Sequence, residues 1–256
     1  MSDLYLFRNT LRDLARPGKV AAALLLVGLF LLIAVLARFN AKAGDFQPVE
    51  TYDFISARLI FGFMLVILSV VFATGVIVQE IEQKTIPYLL TRPVPRWRIL
   101  AAKYAAVVIA TSAVLCFTDL VVALALFGPG KIGQSRLWQD CLILPIGALA
   151  YGGLFLLLAT VFERPLIFGL AYAFGWESWA PYLPGDWSKV SLMSYLHALA
   201  PHLDSANAAN ADSVLAPANI AAWLAWTVLA CVIAGSVAAA LVLFSVREYT
   251  PREERA

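Results

Sequence analysis

Asp119 is the acid that stands inside a long apolar run, Tyr104–Phe127, about 12 Å before the end of that run at 1.5 Å per helical residue. A carboxylate at such depth in hydrocarbon is costly and must face a bundle interior or water. Two roles fit it: a structural ion pair with Arg58, at the start of the preceding apolar run, or a polar station on a transport path. Other chemistry-bearing residues are sparse. His197 and His202 lie outside the apolar runs, where surface or packing roles are expected before metal contact. HExxH is absent. So is the GxxxxGK[ST] phosphate cradle, because neither Gly18-Lys19 nor Gly130-Lys131 has the glycine five residues ahead of its Gly-Lys pair. Cys116, Cys141 and Cys231 all fall in apolar runs and read as small apolar fillers. No cofactor, metal site or catalytic residue is expected.

A second constellation lies in residues 79–103, between two apolar runs. Thr85 is a good helix N-cap, Pro87 is tolerated in a first turn whose N–H groups have no partner, and Arg92-Pro93 stops the helix. The spacing predicts a short helix over Ile86–Thr91 that shows Ile86, Leu89 and Leu90 to the outside. Apolar groups on a short polar-flanked helix make sense under a partner protein. Arg92, Arg96 and Arg98 form a basic cluster for lipid phosphates or an acidic partner.

The elements that must position these residues are membrane spans. Hydrophobic types make up 61% of the 256 residues and charged types 14%, against about half and a quarter in soluble domains. The net charge of +2 argues against nucleic acid as a partner and leaves the placement of charge as the useful signal. A span needs about 20 apolar residues. Six spans are predicted, about 20–37, 59–78, 104–127, 141–162, 165–179 and 220–246, all helical because an isolated strand cannot satisfy its backbone in lipid. The fold class is therefore all-α, in a single transmembrane domain. With the N-terminus inside, only Arg38, Lys42, Arg58, Lys131, Arg136 and Lys189 of the 19 Lys and Arg fall outside, as the positive-inside bias requires. Both termini and the 79–103 loop are then cytoplasmic, and 180–219 is an external loop with short helices dipping into the outer leaflet. Val20–Ala37 exceeds the roughly 7–15 apolar residues of a signal peptide, so no cleavage is expected. Residues 1–16 read as an interfacial amphipathic helix, with Leu4, Phe7, Leu11 and Leu14 on one side and Arg8, Arg12 and Arg16 on the other. On the last span, the small-residue stripe Ala230, Ala234 and Ala238, with Cys231, Gly235 and Ala239 beside it, is expected to pack within the subunit more than between subunits.

The segment Glu82, Thr85, Leu89-Leu90-Thr91-Arg92-Pro93 and Arg96-Trp97-Arg98 resembles the loop after the second span in permease subunits of ABC type-2 transporters. Lys84 departs from the glycine often found before that threonine. Trp176-Glu177, Pro184-Gly185 and Ser191-Leu192 to Tyr195-Leu196 resemble the subgroup that contains permeases of copper-enzyme maturation systems. The resemblance covers nearly the whole chain. It implies a coupling helix that seats in a separate cytoplasmic ATPase, with Glu82, Thr85, Ile86, Tyr88, Leu89, Leu90, Arg92 and Arg96 as coupling residues. It further implies two ATPase copies, a second permease subunit, and export across a bacterial or archaeal plasma membrane. Two alternatives remain open. One is an intramembrane enzyme, which needs convergent catalytic groups; the other is an ion-coupled carrier that uses Asp119.

Overall fold

A computed structural model describes residues 2–40, 47–82, 96–180, 185–200 and 220–246. Among them the chain is helical, with no strand. Helix α1 is Ser2–Leu14 and α2 is Pro17–Asn40. Helix α3, Pro48–Phe54, continues through a π-helical stretch, Ile55–Met64, into α4, Leu65–Glu82. Then come α5, Arg96–Phe127; α6, Leu137–Val161; α7, Pro165–Ala171, extended by a π-helical stretch, Tyr172–Glu177; α8, Leu192–Leu199; and α9, Ala222–Val246. Five helices are long and apolar enough to cross a membrane: Pro17–Phe39, Pro48–Ile77, Trp97–Phe127, Leu137–Val161 and Ala222–Val246.

The expected 165–179 span is not among these five. Helix runs from Pro165 to Glu177, about 20 Å at 1.5 Å per residue, against a hydrocarbon core of about 30 Å. The direction of its neighbours shows what this short piece does. Ile77, Leu100, Leu156, Ala159, Ala240 and Phe244 cluster at one end of the bundle. The ends of α4, α6 and α9 therefore meet the start of α5, and α6 and α9 run the same way. Residues 162–221 must carry the chain back along the bundle between them.

Helix α6 is the hub, packed against α4, α5 and α9. Its glycines make that possible. A Cβ at Gly147 would lie 2.6 Å from Leu65 Cδ2 and 3.2 Å from Leu196 Cδ1, and one at Gly153 would lie 2.6 Å from Ser236 Oγ. The face that α9 buries mixes small and large residues, Ala225, Leu229, Ser236, Ala240 and Phe244. Ala230, Ala234 and Ala238 face away, exposed, with Cys231 and Gly235. This corrects the expectation that the stripe packs within the subunit.

Proline and glycine set local breaks. Pro145 has no N–H for the carbonyl one turn earlier, that of Cys141. The Cys116 thiol reaches this oxygen across the α5–α6 contact at 3.9 Å, so Cys116 does more than fill space. All three cysteines are free thiols. Gly128, at φ +74°, ends α5 with its N–H bonded to the Leu124 carbonyl, the left-handed C-terminal turn that glycine adopts without strain. At the other end of the molecule, α1 lies along α5 with Thr10 and Leu14 buried and Arg8 and Arg12 exposed.

Candidate functional site

Asp119 is fully buried, as its depth in the sequence predicts, and it is not the sole acid there. Tyr52, Ser56 and Asp140 are also buried at the same end of the bundle. The Tyr52 hydroxyl oxygen lies 2.9 Å from Asp119 Oδ1 and 2.8 Å from Asp140 Oδ2. Ser56 donates to the same Asp140 oxygen at 3.2 Å. One phenol has one hydrogen. It can bond both carboxyls together only when one of the two keeps its own proton. Phe127 packs edge-on to the Tyr52 ring at 5.7 Å and closes the cluster on the side of α5. Tyr52 and Ser56 come from α3 and the turn after it, four residues apart and so on one helical face. Asp140 comes from the first turn of α6, where an acid is favoured by the positive end of the helix dipole. Arg58 is exposed on the π-helical stretch, and Tyr52 is hydrogen-bonded to Asp119.

Asp140 was not foreseen because it directly precedes the apolar run that begins at Cys141. The helix starts earlier, at Leu137, and draws Asp140 inside. Tyr52 likewise precedes the expected second span, which in the structure begins at Pro48. The signal was present as a polar-to-apolar transition on each helix, without information on which helix faces which.

A second polar centre sits at Glu177, half-way along α6. Glu177 is buried, and its Oε1 accepts from the hydroxyl of Tyr151, from Ser191 Oγ at 2.8 Å and from the backbone N–H of Met193 at 2.6 Å. The Ser191 side chain also caps α8 by accepting from Met193 N at 3.1 Å. One carboxylate thus ties the end of the α7 segment to the start of α8 and both to α6. Beyond that start, α8 buries Leu192 to His197, with His197 Nε2 3.4 Å from the Ala57 carbonyl oxygen. That oxygen belongs to a π-helical turn, where the bonding register is shifted. The histidine has the packing role expected of it.

The coupling residues fare differently. Thr85, Ile86, Tyr88, Leu89, Leu90 and Arg92 lie outside the described residues. Glu82 ends α4 and Arg96 begins α5, so the segment between them joins two helices that both pack on α6.

A model of the family described as ABC-2 family transporter protein matches residues 16–175, well over half of the chain. The chain belongs to the ABC-2 transporter family. No curated protein matches it. In this ABC-2 chain the matched stretch holds the Tyr52–Asp119–Asp140 cluster and the 79–103 segment, and it stops just before Glu177. An ABC-2 chain with five such apolar helices is a multi-pass membrane protein of a transport system.

Proposed function

We propose that this chain is the permease subunit of an ABC exporter, working with a separate cytoplasmic ATPase as two permeases and two ATPases. The family match is the observation that carries the reading. It accords with the 256 residues, in which no GxxxxGK[ST] phosphate cradle occurs, so that ATP hydrolysis is assigned to a partner. Motion would enter through a coupling helix at Ile86–Thr91 and pass into α4 and α5, the helices on either side of it. Both termini would be cytoplasmic, in the plasma membrane of a bacterium or archaeon. The sixth crossing would be the α7 segment and α8 together, two short helices meeting at Glu177 to bridge the membrane between α6 and α9. Glu177, Ser191 and Met193 connect the two sequence patches that resemble copper-enzyme maturation permeases, which supports placement near that subgroup. Asp119 would be structural, with Arg58 as the cation balancing the acids from the rim.

Replacing both Leu89 and Leu90 by aspartate tests the coupling role. Each leucine buried in a partner's groove contributes about 1.5–3 kcal/mol, so the double variant should lose the ATPase on co-purification at matched membrane expression. Arg92→Ala should have a milder effect, since an interface-rim charge is screened. Equal ATPase recovery and equal transport for the double variant would reduce this segment to a solvated connector. The ion-coupled alternative draws on a specific observation, the second acid beside Asp119. It requires transport that persists in the Leu89→Asp/Leu90→Asp variant and fails in Asp119→Asn.

A further inference from the structure

A cavity of about 340 Å³ opens between α1, α2 and α5, with Phe72 of α4 at its floor. Its size is within the range of ligand pockets, roughly 300–1,000 Å³. The recess exists because Ala15, Ala23, Ala110 and Ala113 line it where neighbouring positions carry Leu, Val and Phe. Its walls are almost wholly apolar, and one charged side chain, Lys19, belongs to the lining. Lys19 is half-buried at the end of the groove where α1 turns into α2. From Lys19 to Val27, both in the lining, α2 rises about 12 Å. That is most of one leaflet of a hydrocarbon core about 30 Å thick.

We propose that this groove holds one phospholipid of net negative charge, from the leaflet on the side of the N-terminus, with an acyl chain along Ala23, Ala110 and Ala113 and its phosphate at Lys19. Charge and length favour this occupant. Around the headgroup end stand Arg12, Arg16 and Lys19 and, among the described side chains of α1, one acid, Asp13, which pairs with Arg16 at 2.9 Å and also attracts Lys19. The local balance remains positive where a lipid phosphate would lie, and a net positive mouth on an apolar trench matches an anion whose tail fills the trench. Helix α2 is the natural wall of a lipid site, because only 22% of its most apolar window is buried inside the chain, against 72% for Pro48–Ile77. The site does not depend on the coupling role or on which side of the membrane the N-terminus lies. It would fix α1 to α5, the helix that follows the 79–103 segment, through the lipid that both contact.

The test is native mass spectrometry of the full-length protein released from mixed vesicles of phosphatidylglycerol and phosphatidylcholine, with wild type, Lys19→Gln and Ala113→Phe compared. Ala113 is exposed on the groove wall, so phenylalanine there fills the trench without entering the bundle core. Wild type should retain one phosphatidylglycerol with a preference over phosphatidylcholine. Lys19→Gln should reduce that preference about fivefold, the effect of one basic residue at a lipid surface. Ala113→Phe should abolish retention of either lipid while leaving circular dichroism and elution volume unchanged. Equal retention of both lipids by wild type would overturn the headgroup assignment. Undiminished retention by Ala113→Phe would overturn the groove. A changed oligomeric state for Ala113→Phe, with lipid retention unaltered, would assign the groove to a second copy of the chain and overturn the lipid reading.

Discussion

Two buried carboxylate centres organise this molecule at the scale of single residues, and they differ in kind. Asp119 and Asp140 share one phenol. Tyr52→Phe removes the hydroxyl that bridges the two acids and keeps the ring that packs on Phe127. Orphaning buried acceptors costs roughly 1–3 kcal/mol, and the variant should unfold measurably earlier in detergent. Asp119→Asn should cost less, because an amide can still bond the phenol, and adding Arg58→Gln to it should cost little more if Arg58 serves the same acid. A Tyr52→Phe protein as stable as wild type would show that the cluster holds nothing together. At Glu177 one oxygen accepts from Tyr151 on α6 and from Ser191 and Met193 at the start of α8. Glu177→Ala leaves Ser191 and Met193 without it, so backbone hydrogen exchange at Met193 should rise about fivefold to a hundredfold, on the order of 1–3 kcal/mol of local stability. Glu177→Gln keeps an acceptor and should show a smaller rise. Unchanged exchange in Glu177→Ala would mean that the Ser191 cap alone secures α8.

At the scale of elements, close approach on α6 is what allows one helix to contact three others. Gly153 meets Ser236 and Val237 on α9, and a leucine side chain has no room there. Gly153→Leu should force α6 and α9 apart and destabilise by about 1–3 kcal/mol or more, as overpacking does. Gly28→Leu is the matched control, because nothing lies within 4 Å of a Cβ at Gly28 on α2. Thermal unfolding of both, side by side in one detergent, checks the claim, and equal midpoints would refute it. On α9 it is Ser236 and Val237 that take the room left at Gly153, while Ala230, Ala234 and Ala238 are left outward.

At the scale of the whole molecule, the parallel run of α6 and α9 requires a return path, and the described helices between them, in residues 165–177 and 185–199, are short. Reporter fusions at Arg96 and Arg252 should both score cytoplasmic, since positively charged flanks are retained inside. An external Arg252 with a cytoplasmic Arg96 would mean that the α7 segment and α8 do not complete a crossing. An external Arg96 would reverse the orientation and remove the coupling helix from reach of an ATPase.

The all-helical class and the five long apolar helices were legible in the sequence, because burial in lipid imposes one constraint, a run of about 20 apolar residues, that can be read along a line. Asp119 was legible for the same reason, as an interruption of such a run. Its partners were not. Tyr52 and Asp140 flank apolar runs and look like headgroup-level residues until helix starts at Pro48 and Leu137 carry them inward. The broken return path was also hidden, since Pro165–Glu177 is apolar enough for a span and only its length and the capture of Glu177 by Ser191 and Met193 divide it. The facing of the alanine stripe on α9 could not be decided in one dimension. Small residues mark a place where two helices can come close, and which partner takes that place depends on what the other helix already supplies, here the glycines of α6.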